Sequence, residues 1–262
     1  MAQNYDSDKR TLRQLLDQYQ PPVKQHQPRA VHIVTDATYF GERTEETSWC
    51  VAVVRDPLKK ENLVWQFAQT ESTSLYNNLR KQLEELGYTI LSVTADSFTG
   101  IQSAFSAITY QMCQVHMQRL VTRGTTKNPQ TEAGVVLLAL IRTLHQTDSQ
   151  TFSQRLDKYV EKYRDFLNEK TLNPLTGERY WTHKELRQAV MSLLHRRQYL
   201  FTYEHNKKIP KTTNSLEGHF SHVNEVISVH RGLSRPQKQR VLSLIFLASS
   251  IAPSQKKIVH IL

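Results

Sequence analysis

The sequence predicts an α/β protein built on a mixed five-stranded sheet that is flanked by helices. Three runs of strand length, at 31–39, 49–55 and 63–68, are rich in β-branched or aromatic residues and are separated by short polar turns. Leucines at helical spacing follow in 74–87, and strand character returns in 88–94. Short turns join antiparallel strands, whereas a helical connection favours a parallel strand. The order β-β-β-α-β therefore indicates a sheet of mixed direction.

The rest of the chain completes this sheet and adds a helical region. A short helix at 101–108 and a fifth strand at 110–115 extend the order to β-β-β-α-β-α-β. The pattern of 116–205 is helical and polar, which predicts an all-α insertion between the last strand and a returning helix. That returning helix spans 214–230 and a final helix spans 236–251. The apolar face of the returning helix consists of Leu216, Phe220, Val223 and Ile227.

The predicted domain boundaries follow from this layout. Residues 31–115 and 206–250 form one central domain, and 116–205 is an insertion within it. Residues 1–30 hold an amphipathic helix and a proline-containing linker, and 251–262 form a C-terminal tail.

Composition limits the class of protein. The 262 residues carry a net charge of +10 with a pI near 9.6, which favours a polyanionic partner, nucleic acid above all. Two cysteines, Cys50 and Cys113, are too few for a disulfide framework and fit a reducing compartment. The chain has no run of about 18 apolar residues and no apolar N-terminal segment, so we expect neither a membrane span nor a secretory signal. These features predict a cytoplasmic protein.

Three carboxylates are placed by this layout where they can meet. Asp36 follows the apolar start of the first strand, Asp96 follows the fourth strand, and Glu217 lies on the returning helix. Strands one and four are neighbours in a mixed sheet of this order, and several carboxylates together suit Mg²⁺ or Mn²⁺. The alternatives are an Asx-turn at Asp96 and a capping box of Asn214 with Glu217. Asp56, before a proline, is expected to stabilise a turn or to be solvated.

Four local segments resemble those of a known family. They are VTDATYF around Asp36, TADSFTGI around Asp96, CQVH at 113–116 and TTNSLEGHF around Glu217. Together with the element order, they resemble the ribonuclease-H-like catalytic domain of DDE transposases, and locally the Mutator-like group with its bacterial insertion-sequence relatives. Families of this group carry a C-x2-H segment and a helical insertion between the second Asp and the Glu. The resemblance covers about 31–250.

This resemblance implies a Mg²⁺- or Mn²⁺-dependent transposase. Asp36, Asp96 and Glu217 would be the catalytic residues and would hold two metal ions during catalysis. The reaction would be hydrolysis of a phosphodiester at the end of a mobile element, followed by attack of the freed 3′-hydroxyl on target DNA. The implied partners are element ends and target DNA, bound by a homo-oligomer.

The C-x2-H segment brings Cys113 and His116 near the predicted site. A structural zinc needs four ligands, and only Cys50 offers a second thiolate, so we expect no structural zinc. We favour a buried cysteine and a hydrogen-bonded histidine near the active site, with His116 close enough to contact a substrate phosphate.

Basic residues form groups suited to a DNA backbone, although solvated helix faces are the alternative. One group is 195–197, and Trp181 in the insertion is a candidate for stacking on an unpaired base. Packing among helices is the more common role of a tryptophan. The candidate DNA-binding residues that flank Glu217 in sequence are Lys207, Lys208, Lys211, Arg231, Arg235, Lys238 and Arg240.

The segment before the first strand departs from the family pattern. Residues 1–30 hold one predicted helix, which is too little for the N-terminal helix-turn-helix region that such transposases carry. We therefore expect a separate end-recognition chain, an upstream segment, or a truncated element. The alternative function is a non-catalytic, truncated transposase that acts as a DNA-binding or assembly protein. The bacterial relatives imply a nucleoid-associated location.

Overall fold

Five strands form one mixed sheet in the computed structural model of the protein, which describes residues 9–41, 47–229 and 232–251. The order across the sheet is β3-β2-β1-β4-β5, which confirms the predicted α/β fold class. In chain order the strands are Ala30–Phe40 (β1), Trp49–Asp56 (β2), Glu61–Ala68 (β3), Thr89–Ala95 (β4) and Thr109–Met112 (β5).

Helices connect and follow these strands close to their predicted bounds. Because β5 ends at Met112, Cys113 and His116 lie at the start of a helix rather than at the end of a strand. None of the helices in the described part of the chain is long and apolar enough to cross a bilayer. The helices are Lys9–Gln18 (α1), Thr73–Glu85 (α2), Thr99–Ala104 (α3), Gln114–Thr125 (α4), Glu132–Arg142 (α5), Ser149–Lys162 (α6), Arg164–Leu167 (α7), Lys184–Arg196 (α8), Asn214–Val229 (α9) and Arg235–Ile251 (α10).

The register of β1 with its two neighbours defines the direction of the sheet. On one side β1 pairs antiparallel with β2, and β2 pairs antiparallel with β3, as the predicted meander requires. On the other side the Thr89 amide donates to the Arg29 carbonyl at 3.1 Å. The side chains of His32 and Ser92 are hydrogen-bonded at 2.8 Å. Both contacts join residues 60 positions apart, so β1 and β4 run in the same direction at a constant offset.

The contacts divide the chain into two compact units. Unit 1 consists of Met1–Val93, Thr99–Ile108 and Thr213–Leu262, and unit 2 consists of Thr94–Phe98 and Thr109–Thr212. Each unit has its own apolar core.

The core of unit 1 packs α9 and α10 against the first strands of the sheet. All four residues of the predicted apolar face of the returning helix are buried here, which confirms that face. Burying such side chains contributes about 1.5–3 kcal/mol each. The core residues are Val34, Phe40, Trp49, Val51, Val53, Leu216, Phe220, Val223, Ile227, Val241, Leu242, Ile245 and Phe246.

Unit 2 contains a β-hairpin as well as helices, so the prediction of an all-α insertion is wrong in this detail. Lys170–Leu172 (β6) pairs antiparallel with Arg179–Trp181 (β7). A hydrogen bond from the Gly177 amide to the Asn173 carbonyl, at 2.9 Å, closes the turn between these strands. Gly177 has a φ of +70°. Strands of three residues are too short to show alternation in the sequence.

The helix α5 is apolar in sequence but only partly buried. Its apolar sequence predicts burial almost all round, yet Val135 and Val136 are 51% and 37% exposed. Leu137, Leu138 and Ile141 are buried in the core of unit 2. An apolar sequence on every side of a helix therefore does not show that every side is buried.

We expect Leu137→Ala to lower the free energy of unfolding by about 2–5 kcal/mol, because it leaves a cavity in the core of unit 2. Val135→Ala is the matched control on the exposed side of the same helix and should change it by less than about 0.5 kcal/mol. Urea denaturation of both variants checks this, and equal losses would contradict the described orientation of α5.

Candidate active site

Asp36 lies on the face of β1 that meets the helix α9. Side chains alternate along a strand, so Val34, Asp36 and Thr38 project from one face. Val34 belongs to the core that α9 helps to form. Two residues past Asp36, Thr38 Oγ1 accepts from Asn224 Nδ2 of α9 at 3.4 Å. Asp36 is half-buried, and its Oδ1 accepts the Ala37 amide at 2.9 Å.

Glu217 lies in the first turn of α9, on the side of the helix that approaches β1. Residues seven apart in a helix lie on nearly the same line, so Glu217 shares its side of α9 with Asn224. Asn224 reaches Thr38 on the Asp36 face of β1. The Thr213 hydroxyl donates to Glu217 Oε1 at 3.4 Å, a local contact with the segment that starts the helix. Unit 1 therefore brings the Asp36 face of β1 and the Glu217 side of α9 together.

A buried polar network ties α9 to the sheet of unit 1, and sequence reasoning missed it. Arg55 donates to Asn62 Oδ1 at 2.5 Å, which fixes the orientation of the Asn62 amide because a guanidinium only donates. Asn62 Nδ2 then donates to His219 Nε2 at 3.0 Å and to the Phe246 carbonyl at 3.2 Å. These residues share no sequence spacing that would signal a common contact.

The network requires a neutral imidazole at His219. Its Nε2 accepts from Asn62, so this nitrogen carries no proton. Burial, followed by the charge of Arg55 and by His222, lowers the pKa of His219 to about 4. Burial likewise lowers the pKa of Arg55.

Asp96 belongs to unit 2 and makes the turn that the alternative interpretation expects. It is half-buried directly after β4, and its Oδ1 accepts the Phe98 amide at 2.9 Å in an Asx-turn. The Tyr110 hydroxyl donates to the Asp96 carbonyl. Burial, then the charge of Asp96, raises the pKa of Tyr110. The turn holds one carboxylate oxygen in a fixed orientation at the end of the strand.

Cys113 and His116 also belong to unit 2 and lie on one turn of α4. Cys113 is the fully buried N-cap residue, and its amide donates to the Ala95 carbonyl at 2.7 Å. The Cys113 sulfur and a ring nitrogen of His116 lie within 4.8 Å of one another. The C-x2-H spacing therefore places Cys113 and His116 on one turn of α4. Cys113 is hydrogen-bonded to Ala95, which is the residue before Asp96.

Asp56 stabilises a turn, as expected, but it is not solvated. Its Oδ1 accepts the amides of Leu58 and Lys59 at 2.9 and 3.1 Å, and Arg29 donates to its Oδ2 at 2.8 Å. The side chain is buried. Asp56 thus has a structural role of its own in unit 1 and makes a useful comparison for Asp36.

The candidate DNA-binding residues are partly engaged within their own units. In unit 2, Lys207 and Lys211 lie over the Tyr203 ring at 5.6 and 4.3 Å from its centroid, and Lys208 is exposed.

In unit 1, Arg235 donates to Gln69 Oε1 at 2.8 Å, and Arg240 pairs with Asp17 at 3.2 Å. Lys238 is half-buried, and Arg231 lies outside the described residues.

Trp181 ends β7 with cations over its ring. Lys170 Nζ and Arg187 Cζ lie 4.4 and 4.1 Å from the ring centroid. A base that stacked on Trp181 would compete with these cations for the ring.

Comparison with known proteins supplies a family match. The family model described as the transposase IS66 family matches residues 2–221. The Mutator-like group is not confirmed by this match. No protein of curated function matches the sequence at a significant level.

Several solved structures share a limited likeness. The catalytic core domain of BIV integrase is 15% identical, with 62% of this chain and 81% of that chain covered and a TM-score of 0.25. The HTLV-2 integrase catalytic core domain in complex with magnesium is 13% identical, with 61% and 97% covered and a TM-score of 0.27. The Drosophila P element transposase strand transfer complex is 10% identical, with 92% and 85% covered and a TM-score of 0.31. These TM-scores are below 0.5, so the family rests on the sequence match alone.

We expect the free energy of unfolding to fall between about pH 6.5 and pH 4. In this range His219 binds a proton in the unfolded state but not in the folded state. The folded pKa is lowered, so this stabilisation is complete above the unfolded pKa and is lost as the pH falls toward about 4. At about 1.4 kcal/mol per pKa unit, the loss reaches roughly 3 kcal/mol.

His219→Gln keeps a polar group near Asn62 but cannot titrate, so its free energy of unfolding should depend less steeply on pH over this range. Urea denaturation at several pH values compares the two proteins. A variant with the pH dependence of the wild type would show that His219 is not buried as a neutral imidazole.

Proposed function

Because the chain belongs to the IS66 family of transposases, we propose that it is a DDE-type transposase. It cleaves a DNA phosphodiester at the end of a mobile element and joins the freed 3′-hydroxyl to target DNA. The observation that carries this proposal is the placement of two half-buried carboxylates in unit 1, Asp36 on β1 and Glu217 on the side of α9 that approaches it. A divalent cation relieves the repulsion between carboxylates that lie close together.

Asp96 is proposed as the third carboxylate, and the register of β1 and β4 supports it. The contacts of Arg29 with Thr89 and of His32 with Ser92 share an offset of 60 residues. Asp36 and Asp96 are also 60 positions apart in the sequence.

The donor set fits Mg²⁺ or Mn²⁺. Asp36, Asp96 and Glu217 offer only hard oxygen ligands, which these ions prefer, and we propose that they hold two ions during catalysis. When bound, such ions supply activation of the attacking hydroxyl and neutralisation of charge at the phosphate. One oxygen of each carboxylate accepts a local hydrogen bond: from the Ala37 amide, the Phe98 amide and the Thr213 hydroxyl, respectively.

The remaining expectations follow from this activity. We propose that DNA, as element ends and as target, is the partner of a homo-oligomer, and that Lys207, Lys208 and Lys211 contact its phosphates together with the basic residues of 231–240. The central domain would be 31–115 with 206–250, and 116–205 its insertion. A location at the bacterial nucleoid remains part of the proposal.

We expect Asp36→Asn to lower Mg²⁺-dependent cleavage of a labelled element-end duplex more than 100-fold, because it removes a charge that holds the ions. Loss of an outer-sphere partner alone costs about 10–100-fold. Unfolding should be no easier, since the variant relieves carboxylate repulsion in the absence of metal.

Asp56→Asn is the matched control, since it makes the same change on the neighbouring strand β2. It weakens the bond to Arg29 and should cost some stability while it leaves the rate of cleavage within a few-fold. Full activity of Asp36→Asn, or equal losses of activity in the two variants, would refute the site. Duplex binding without cleavage by the wild type would instead favour the non-catalytic alternative.

A further inference from the structure

One side of α8 forms a basic stripe that includes Trp181 and two residues of the basic group 195–197 and extends along the helix to Lys184. A cavity of about 430 Å³ opens along it. We propose that this stripe binds the phosphodiester backbone of duplex DNA, an inference that rests on the proposed function for the choice of DNA. The stripe, called the α8 stripe below, consists of Trp181, Lys184, Arg187, Gln188, Met191, Ser192, His195 and Arg196.

The α8 stripe is rigid because the other side of its helix is buried. Its members recur at intervals of three and four residues from Lys184 to Arg196, which places them on one side of the helix. Leu186, Val190 and Leu193 face the opposite way, into the core of unit 2. The twelve-residue separation gives the stripe a length of about 18 Å at 1.5 Å per residue. A ligand would meet basic groups at both ends of a fixed edge.

The charge of the stripe is of one sign. None of its described residues is acidic, whereas Lys184, Arg187 and Arg196 are basic. Two other basic residues of unit 2 have carboxylate partners: Arg197 pairs with Asp157 at 2.6 Å, and Lys162 pairs with a glutamate at 2.8 Å. The adjacent residues Arg196 and Arg197 thus differ in surroundings, since only Arg197 faces a carboxylate at bonding distance in the described ion pairs.

Arg187 is held in place before any ligand arrives. Its guanidinium stacks on Trp181 at 4.1 Å from the ring centroid and donates to Asn168 Oδ1 at 2.8 Å. A guanidinium has five N–H donors, so this bond leaves others for a phosphate. Fixing the side chain in advance lowers the entropy that binding must remove. The cation–π contact is therefore part of a phosphate clamp, and not only packing within the hairpin.

His195 adds a second ordered group at the far end of the stripe. Its Nδ1 donates to the Met191 carbonyl at 2.7 Å, because a carbonyl only accepts. That bond leaves Nε2 as the atom that can reach a ligand. Arg196 lies beside it on the same edge.

The length of the stripe selects the class of ligand. A single phosphate would need convergent donors, but the basic groups of the α8 stripe are spread along about 18 Å of helix. A chain of phosphates matches such an arrangement, and each basic contact to it releases a counterion. Membership in a transposase family makes duplex DNA the polyanion that the stripe meets.

The test measures duplex DNA affinity of the full chain between about 50 and 200 mM salt, with chelator present so that no cleavage occurs. Arg196→Gln should reduce the slope of log affinity against log salt by about 0.9, the value for one lost phosphate contact. Lys162→Gln removes the same charge from a residue that is paired with a glutamate, and it should keep the wild-type slope. Equal slopes for the two variants would overturn the proposal.

Arg187→Gln should also reduce the salt slope by about 0.9. Trp181→Leu removes the ring on which Arg187 stacks and leaves the charge of the stripe unchanged. The Trp181 variant should bind severalfold more weakly because Arg187 loses its stacked position; unchanged affinity would overturn the clamp. Circular dichroism checks that each variant is folded. If Arg187→Gln is unfolded, the salt slope of Arg196→Gln alone tests whether the stripe binds DNA.

A competition experiment separates DNA from RNA, and cleavage separates this proposal from the proposed function. Duplex RNA that displaces DNA at lower concentration would overturn the choice of DNA. Metal-dependent cleavage that Asp36→Asn abolishes, together with unchanged salt slopes for the α8 variants, would refute the stripe and leave the transposase assignment standing. Reduced slopes for the α8 variants without any metal-dependent cleavage by the wild type would support the stripe and refute the transposase assignment.

Discussion

The apolar face of α9 is buried against β1 and β2, and the placement of Glu217 in unit 1 depends on this contact. Leu216, Phe220 and Val223 enter the same core as Val34, so the helix cannot turn about its axis without exposing them. Glu217 follows the first of these residues directly. The free energy of a hydrophobic contact thus fixes the orientation of a charged side chain that would otherwise favour water.

The polar network beneath α9 makes that orientation specific. Apolar burial alone tolerates small shifts of a helix along a sheet, but the hydrogen bonds of Asn62 do not. Asn62 links Arg55, His219 and the Phe246 carbonyl, and so joins β2, β3, α9 and α10. A buried polar group left without its partner costs about 1–3 kcal/mol. A shift of α9 would break this network, which keeps the Glu217 side of the helix next to β1.

Unit 2 shows a different use of charge. Several of its cations are held by aromatic rings rather than by carboxylates, as at Tyr203 and Trp181. An ion pair neutralises a cation, whereas an aromatic face orients it and leaves its charge available. Such residues suit a surface that meets a polyanion, in keeping with the net charge of +10.

The sequence by itself determined the order of the elements, the strands, the apolar face of α9 and the carboxylate candidates, because periodicity and local residue preference report these directly. It did not show the hairpin of unit 2, whose strands are three residues long, or the exposed side of α5. Only the tertiary structure decided that Asn62 meets His219, 157 positions away. It also decided that Arg197 has a carboxylate partner from another helix. Contacts between residues far apart in sequence depend on how the helices and strands pack. This packing produces no local sequence pattern from which such contacts could be predicted.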